Sequence, residues 1–441
     1  MKVALISPER PFSGKVPMAP PILEYLGALT LRERPDAELR LIDADFEKFD
    51  PDDIDADVVG ISAMTATAPW AYRTADRLRA RGIPVVLGGI HPSALPDEAA
   101  LHADAVVTGE AESVWGAVLD DVAAGCLNPR YAGERLPLDD LPLPMTGALP
   151  HKYLFRAVFT ARGCPYRCTF CSVRRFFGDT VRVRPIDQVV EEVATRTGDI
   201  WFNGDDNIWG ADTARSIELF DALAAAKLGK HWYGFGDLRA VQGPDGAKLL
   251  DSAKASGLFN VWAGWESIDE GQLSAWHATG KQGHDRMEAV RRIKDRGIEV
   301  VLFMVFGGRE DDAGQFQRAV ELADRLDVSV HPVLLTPLPG TELYAEYEPY
   351  LLPDIGWDRF NGTCAVFEHP DPAMTPKARE RLYYETSLEL LRLPRVFRHT
   401  LKIPMNGFPS THIGAIMQAL PMRKAMHRAY DEWRAANEGQ G

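Results

Sequence analysis

Short apolar runs alternate with helical patterns along residues 1–125, and this alternation constrains the fold more than any other feature. Strands that alternate with helices form parallel sheets covered on both faces. We therefore predict an α/β domain here, a doubly wound parallel sheet of the Rossmann or flavodoxin-like kind. The predicted strands are Val3–Ser7, Glu38–Asp43, Val58–Ser62, Pro84–Gly88 and Ala105–Gly109, and the helical stretches include Pro21–Leu29, Ala68–Ala80 and Glu112–Ala124.

Small residues follow three of these strands. The three segments read Ser62-Ala-Met-Thr-Ala-Thr67, Gly88-Gly-Ile-His-Pro-Ser93 and Thr108-Gly-Glu110. Ligands of open parallel sheets bind beyond the carboxyl ends of the strands, and small side chains let a large ligand approach the backbone closely. The sequence therefore predicts a ligand at this edge of the sheet. The alternative is a flavodoxin-like domain that binds nothing.

A second series of strand–helix units covers residues 157–345 and has six units rather than eight. Strand–helix units in series can form a barrel, and the active site of a barrel lies at the carboxyl ends of its strands. The predicted strands are Ala157–Ala161, Ile200–Asn203, Trp232–Leu238, Asn260–Glu266, Glu299–Phe306 and Val328–Thr336, and the helices are Ile186–Thr197, Thr213–Lys227, Asp245–Ser256, Arg286–Arg296 and Gly314–Leu326.

Two further regions lack this alternation. Residues 126–156 are rich in Pro, Leu and Asp and show no periodicity, which predicts an interdomain linker. Residues 346–441 show helical patterns at Thr375–Leu393 and Thr411–Arg434. We expect this carboxy-terminal region to cover the mouth of the preceding domain and to help select the substrate.

Three cysteines lie in the run Ala161-Arg-Gly-Cys164-Pro-Tyr-Arg-Cys168-Thr-Phe-Cys171, with C-x3-C-x2-C spacing. A cubane of four irons and four sulfides needs four ligands, usually thiolates. Three thiolates leave one iron open to a small molecule. A zinc site would need a fourth partner at paired spacing, which the sequence does not show. The run therefore predicts a [4Fe-4S] cluster, with a zinc knuckle or a chance group of thiols as the alternative.

This run resembles the signature of the radical S-adenosylmethionine (SAM) superfamily. The resemblance implies that Cys164, Cys168 and Cys171 hold the cluster, that SAM chelates the open iron, and that Phe170 lies beside the adenine of SAM. It also implies that the six units form a partial (β/α)6 barrel of the TIM type. The cysteine loop follows the first strand and falls at the barrel mouth.

Other strand ends resemble SAM-binding segments of this superfamily. Phe202-Asn-Gly-Asp-Asp-Asn-Ile208 carries Asp205 and Asp206, and Ala263-Gly-Trp-Glu-Ser267 carries Glu266. Side chains alternate along a strand, so we expect one of the two aspartates to contact SAM and the other to cap the next helix. For each of these acids the alternative is a solvated loop residue.

The first domain, placed before such a barrel, resembles the cobalamin-binding domain of the cobalamin (B12)-dependent radical SAM enzymes. The resemblance implies that cobalamin is lined by Ser62, Thr65, Gly88, Gly89, Gly109 and Glu110. The loop Ser7–Gly14 lacks the D-x-H-x-x-G pattern whose histidine binds cobalt. We therefore expect cobalamin without a protein imidazole on its lower face. For His91 we expect a hydrogen-bonded loop histidine rather than a cobalt ligand.

Composition indicates an enzyme of the cytoplasm. The net charge of the 441-residue chain is −14, which argues against a large surface for nucleic acid or anionic membrane. No apolar run reaches the roughly 18 residues of a membrane helix, and the start lacks the h-region of a signal peptide. Cys126 and Cys364 are the other cysteines, so there is no disulfide framework.

The family resemblance implies a C-methyltransferase that acts on an unactivated carbon, using methylcobalamin and a 5′-deoxyadenosyl radical. The alternative uses the same cofactors for cyclisation, ring contraction or rearrangement without methyl transfer. A tRNA methylthiotransferase would carry three further cysteines before the run, where this chain has Cys126. A metal-binding regulatory module would need four protein ligands.

The implied partners are a small-molecule substrate and an electron donor such as flavodoxin or ferredoxin. Aromatic residues crowd the barrel segments and indicate a largely apolar or planar substrate, although strand aromatics commonly belong to the core. They are Trp201, Phe202, Trp209, Trp232, Tyr233, Phe235, Trp262 and Trp265.

Overall fold

The computed structural model describes residues 1–11, 18–149, 153–209, 212–402 and 409–438. Its first part contains six strands and five helices. In chain order these are β1 (Lys2–Ser7), α1 (Pro21–Glu33), β2 (Glu38–Asp43), β3 (Val58–Ser62), α2 (Ala68–Ala80), β4 (Val85–Gly88), α3 (Ile90–Ala94), α4 (Pro96–Ala99), β5 (Ala105–Thr108), α5 (Trp115–Ala124) and β6 (Arg130–Ala132).

These strands form one parallel sheet in the order β2-β1-β3-β4-β5-β6. The first five strands have the doubly wound, flavodoxin-like order that the alternation predicts. Separate clusters of buried side chains pack around the sheet, one including Ile61 and Leu87 and the other Leu5 and Trp115. The sixth strand comes from the segment predicted as a linker, so the sheet extends beyond residue 125.

The second part begins with short strands and a hairpin and continues with longer strand–helix units. Its elements are β7 (Ala157–Val158), β8 (Ala161–Arg162), α6 (Val173–Phe177), β9 (Arg182–Val183), α7 (Ile186–Thr195), β10 (Ile200–Asn203), α8 (Thr213–Ala225), β11 (His231–Phe235), α9 (Gly246–Ala255), β12 (Leu258–Glu266), α10 (Glu270–Ala275), α11 (Arg286–Lys294), β13 (Glu299–Phe306), α12 (Gly314–Leu326) and β14 (Ser329–Leu334).

Six of these strands form a parallel sheet in the order β14-β13-β12-β11-β10-β7, and the β8–β9 hairpin is inserted between β7 and β10 along the chain. This is the partial barrel expected from six strand–helix units. Buried and partly buried residues alternate along β11 and β13. The buried set packs against the helices in one large core, and the other set faces the barrel interior. The antiparallel hairpin of β8 and β9 was not predicted.

The carboxy-terminal region contains α13 (Glu342–Tyr347), α14 (Pro376–Leu390), α15 (Leu393–Lys402) and α16 (Pro409–Asn437). Side chains from 335–367 pack with Leu273 and Trp276 against Cys168 and Phe170. We call residues 335–367 the covering segment, because they pack against the cysteine run. That residues 346–441 cover the barrel mouth and help select the substrate stays a prediction. In contrast, α14 packs against β14 and α12 on the side of the barrel. No described helix is both long and apolar enough to cross a membrane.

Candidate active site

The cysteine run forms a loop that starts from the β8–β9 hairpin. Gly163 has a φ of +99°, which glycine adopts without steric cost. A Cβ atom at this position would lie 2.5 Å from the carbonyl oxygen of Thr180, so a larger residue would displace the loop. Cys164, Cys168 and Cys171 follow as partly buried free thiols.

Burial raises the pKa of all three thiols, to about 12 for Cys168 and about 11 for Cys171. The free thiols are therefore protonated at neutral pH, and binding of iron releases protons because the thiolate is the ligand. Three thiols on one loop fit a [4Fe-4S] cluster with one open iron, since each binds a different corner of the cubane. Among the described residues, no three His, Cys, Asp or Glu side chains are grouped closely enough to hold a single metal ion.

Asp205 holds the backbone next to this loop. Its buried carboxylate accepts hydrogen bonds from the amides of Thr160 and Ala161 at 2.6 and 2.9 Å, and from the Thr160 hydroxyl at 2.5 Å. Both carboxylate oxygens are engaged. Asp205 therefore ties the end of β10 to the chain between β7 and β8.

Asp206 faces the cysteine loop. One carboxylate oxygen accepts a hydrogen bond from the Gly163 amide at 3.1 Å, and burial raises the pKa of this carboxyl to about 6. The expectation that Asp205 or Asp206 caps the next helix is wrong. The N-cap of α8 is Asp212, which accepts a hydrogen bond from the Arg215 amide at 3.1 Å, because the chain continues through a loop before the helix begins.

Glu266 ends β12 in an unusual backbone conformation. Its φ is +61°, and the pairing of β12 with β13 shifts register between Gly264 and Glu266. Left-handed conformations of non-glycine residues are concentrated at functional sites. A Cβ atom on Gly264 would lie 2.1 Å from a Glu266 carboxylate oxygen, so the glycine provides space for this side chain. Burial raises the pKa of Glu266.

Lys281 is a site residue that the sequence did not reveal. Its Nζ lies 3.9 Å from a Glu266 carboxylate oxygen, and both side chains are 13% exposed. Lys281 also lies close enough to Cys164 and Cys168 for its positive charge to oppose part of the rise that burial causes in the pKa of both thiols. An amine and a carboxylate thus face the same region beside the cysteines. The available signal was the position of Lys281 in the segment between α10 and α11, which follows the strand that carries Glu266.

Asp237 is a second residue that the sequence did not reveal. It follows β11 and accepts hydrogen bonds from the Tyr166 hydroxyl at 3.2 Å and from the Asn207 side-chain amide at 2.8 Å. Tyr166 belongs to the cysteine run, and its ring would lie 2.6 Å from a Cβ atom on Gly280. These contacts fix the cysteine loop against the segments that follow β10 and β11 and against the turn that contains Gly280.

Phe170 is partly buried and packs its ring against Trp276, with 5.5 Å between centroids and an interplanar angle of 74°. The Thr169 amide donates to the Trp276 carbonyl at 3.0 Å, and the Leu343 amide donates to the Thr169 carbonyl at 3.0 Å. The wall of the loop beside Phe170 is therefore built from α10 and α13.

Five of the six residues expected to line cobalamin lie together at the edge of the first sheet. Ser62 and Gly88 are register partners, and a Cβ atom on Gly89 would lie 2.8 Å from the Ser62 hydroxyl. The Ser93 hydroxyl joins the next strand by accepting from the Gly109 amide at 2.9 Å and donating to the Gly89 carbonyl at 2.7 Å. The fifth residue, Thr65, is buried in the turn after β3.

Glu110, the sixth residue, is paired with the other domain. Its buried carboxylate contacts the Arg162 guanidinium at 2.7 Å and is also paired with Arg182. Arg162 pairs in addition with Glu112 at 2.7 Å. Both Glu110 oxygens are engaged, so this residue joins the end of β5 to the hairpin that leads into the cysteine loop.

His91 is fully buried and lies 3.3 Å from a Glu98 carboxylate oxygen through Nε2. The expected hydrogen bond is confirmed, but His91 lies in the short helix α3 rather than in a loop. Trp357, from the covering segment, donates its indole N–H to the same carboxylate at 3.0 Å and packs edge-on against the His91 ring. Residues 12–14 of the loop Ser7–Gly14 lie outside the described residues.

The aromatic residues of the barrel divide into two groups. Trp201, Trp209, Trp232 and Trp265 are buried in the core between strands and helices. The other group faces the barrel interior, where the rings contact one another with centroids 5.0–6.0 Å apart; it contains Phe202, Tyr233, Phe235, Trp262 and Phe303. The barrel interior is therefore lined by aromatic rings that contact one another.

Comparisons with known proteins agree with this architecture. Residues 31–119 match the B12 binding domain family, and residues 158–323 match the radical SAM superfamily. The chain is 30% identical over 368 residues to the bacteriochlorophyllide d C-8(2)-methyltransferase of Chlorobaculum tepidum, covering 78% of this chain and 80% of that protein. It is 27% identical to the anaerobic magnesium-protoporphyrin IX monomethyl ester cyclase of Rubrivivax gelatinosus over 66% of this chain and 58% of that protein.

Among solved structures, the chain is similar to the radical SAM methyltransferase TsrM from Kitasatospora setae, with cobalamin and a [4Fe-4S] cluster bound. The TM-score is 0.68 with 16% identity, covering 97% of this chain and 99% of that one. The protein belongs to the cobalamin-dependent radical SAM enzymes. Its cofactors are accordingly a [4Fe-4S] cluster, SAM and cobalamin.

Proposed function

We propose that this enzyme is a methyltransferase that places a methyl group on an unactivated carbon of a small molecule. The observation that carries the proposal is the contact between the end of β5 in the first sheet and the β8–β9 hairpin, from which the cysteine loop starts. Glu110 follows the glycine expected beside cobalamin, and Arg162 lies two residues before the first cysteine. Because these side chains are in contact, a substrate near this junction faces both cofactors at once. Similarity to the bacteriochlorophyllide d methyltransferase supports the same assignment.

The geometry suggests which residues hold each group. Cys164, Cys168 and Cys171 hold the cluster. When bound, the cluster with SAM supplies a radical that removes a hydrogen atom, and cobalamin supplies the methyl group. The residues proposed to contact SAM are Phe170, Asp206, Glu266 and Lys281, and those proposed to line cobalamin are Ser62, Thr65, Gly88, Gly89 and Gly109.

The protein's own side chains hold the backbone of the site and the two domains in place. Asp205 and Asp237 fix the backbone of the site through hydrogen bonds, and Glu110 fixes one domain on the other. The covering segment packs against Cys168 and Phe170, and aromatic rings line the barrel interior, so apolar surface borders the proposed site. These apolar walls support a largely apolar or planar substrate. We further propose that the enzyme works in the cytoplasm with an electron donor such as flavodoxin or ferredoxin.

The decisive experiment follows the fate of SAM. Reduced holoenzyme with trideuteromethyl-SAM should transfer the labelled methyl group to cobalamin, detected by mass spectrometry, even without substrate. With bacteriochlorophyllide d as the first probe substrate, each turnover should release one 5′-deoxyadenosine and one S-adenosylhomocysteine. Deoxyadenosine without S-adenosylhomocysteine would instead establish the second candidate, cyclisation, ring contraction or rearrangement, which the similarity to the monomethyl ester cyclase favours.

Replacing Gly88 by leucine should block cobalamin uptake. A Cβ atom at Gly88 would lie 3.6 Å from the Val107 carbonyl oxygen, which is ordinary contact, so the fold accepts a side chain that then projects toward the ligand edge. We expect the cobalamin content to fall about tenfold or more. Gly88→Ala is the matched control and should retain most of the cobalamin. Gly109 is unsuitable, because its φ is +73° and a Cβ atom would lie 2.7 Å from the Gly133 carbonyl oxygen.

Replacing Lys281 by methionine should weaken SAM binding. Hydrogen bonds to charged groups contribute about 1.5–3 kcal/mol, so the Kd for SAM should rise about tenfold or more. Isothermal titration of the cluster-loaded protein measures this change, and Lys281→Arg should bind SAM more tightly than Lys281→Met. Equal SAM affinity of Lys281→Met and the unmodified enzyme would remove Lys281 from the site.

A further inference from the structure

Arginine is concentrated around the cysteines. Residues 162–184 contain six arginines and one aspartate, although the whole chain has a net charge of −14. Such a local excess of positive charge in an acidic protein produces a patch that attracts anionic partners. The structure shows how this charge is divided.

Three of the six arginines point inward. Arg162, Arg182 and Arg184 have side chains that are 12%, 14% and 0% exposed. Each is paired with buried or partly buried glutamates, which are Glu110, Glu112 and Glu192. The positive charges of these three arginines are therefore balanced by carboxylates inside the protein.

The other three arginines point outward. Arg167, between the first two cysteines, is 69% exposed, and Arg175 is 56% exposed. Arg174 is 27% exposed. Arg135, which is exposed, adds a fourth guanidinium and donates to the carbonyls of Arg175 and Phe176 at 2.8 and 3.0 Å. We call these four residues, Arg135, Arg167, Arg174 and Arg175, the arginine patch.

Acidic neighbours offset the arginine patch only in part. Asp179 lies 3.6 Å from Arg167 and 4.0 Å from Arg174, and Glu342 lies 3.2 Å from Arg174 and 3.7 Å from Arg175. Three guanidinium groups thus share two carboxylates at ion-pair distance, and Arg135 adds a fourth positive charge to the patch. Both carboxylates are themselves more than 40% exposed, so solvent screens these pairs.

We propose that the arginine patch docks an acidic electron-transfer protein of the flavodoxin or ferredoxin class. The inference rests on the proposed function, because it requires that the cysteine loop binds the cluster. The docked donor loses one electron and the [4Fe-4S] cluster gains it, with no bond made or broken and no proton moved. Charge complementarity speeds such encounters, because opposite fields steer the two proteins together.

Rapid-mixing kinetics test the proposal. Cluster-loaded protein is mixed with reduced flavodoxin, and cluster reduction is followed by loss of its visible absorption. The Arg167→Gln/Arg175→Gln variant should react about tenfold more slowly with flavodoxin, and added salt should slow the unmodified protein. Dithionite is a small anion that needs no docking surface, so its rate should differ between the two proteins by less than about twofold. An unchanged flavodoxin rate, or a rate independent of salt, would overturn the proposal.

A matched control separates the arginine patch from net charge. Arg291→Gln/Arg318→Gln removes two arginines of similar exposure, 54% and 43%, from α11 and α12. Its flavodoxin rate should change by less than about twofold; an equal loss contradicts a local docking site. Arg135→Gln/Arg175→Gln leaves the cysteine run untouched and should be slowed like the first variant. If the unmodified chain assembles no cluster, the proposed function fails first, and iron content shows this.

Discussion

Replacing Cys164, Cys168 and Cys171 together by alanine will abolish the iron–sulfur cluster. Anaerobic reconstitution of the unmodified chain should give about four irons and four sulfides, with the visible charge-transfer absorption of a [4Fe-4S] centre. The triple variant should show neither the absorption nor cleavage of SAM to 5′-deoxyadenosine. Iron and sulfide analysis with absorption spectroscopy measures both effects.

Cys126 and Cys364 provide the control for this experiment. Cys126 is exposed beyond α5, and Cys364 packs with the covering segment. Alanine at either position should leave the iron content and the spectrum unchanged. A cluster that survives in the triple variant would disprove the assignment of the cysteine run.

Replacing Glu192 by glutamine will destabilise the whole protein. Glu192 is fully buried and accepts from Arg184 at 2.5 Å, from Arg196 at 2.8 Å and from the Tyr25 hydroxyl at 2.6 Å. Removing one member of a buried ion pair leaves an uncompensated charge and costs about 3–5 kcal/mol. We expect a large decrease in the urea midpoint, measured by circular dichroism. Since Tyr25 belongs to α1, the first sheet should also loosen from the barrel.

The matched control is Asp97→Asn, which breaks the exposed ion pair with Arg130. The Asp97 side chain is 93% exposed and that of Arg130 is 48% exposed. Such surface pairs contribute about 0–1 kcal/mol, so the unfolding midpoint should barely move. Equal midpoints for Glu192→Gln and Asp97→Asn would show that burial of the network does not contribute to stability.

The fold was largely predictable because strand and helix periodicity is local information. The pattern placed β3, β13 and α12 at or near their observed ends. The β8–β9 hairpin was missed because each of its strands has two residues, too few to show alternation. Strand β6 was missed for the same reason, since Arg130–Ala132 pairs with β5 from within an aperiodic segment.

The site was predictable only in part, because the sequence shows the type of each residue but not its contacts in the folded chain. Cysteine spacing lies within one loop and can be read directly. Asp205 and Glu110 stand where cofactor contacts were expected, yet their partners come from 45 and 52 residues away along the chain. Those partners saturate both carboxylates. Lys281, in contrast, was not predicted at the site, because only folding of the chain brings it near Glu266.

The pairing of Glu110 with Arg162 and Arg182 has a consequence for building hybrid enzymes. An engineer who exchanges the first sheet for that of a relative would also remove Glu110 and leave Arg162 and Arg182, which are register partners in the β8–β9 hairpin, without the carboxylate that they share. The transplantable module is therefore not the sheet alone but the sheet with the β8–β9 hairpin. Chimeras that keep Glu110 together with the β8–β9 hairpin should fold, and chimeras whose crossover separates them should aggregate.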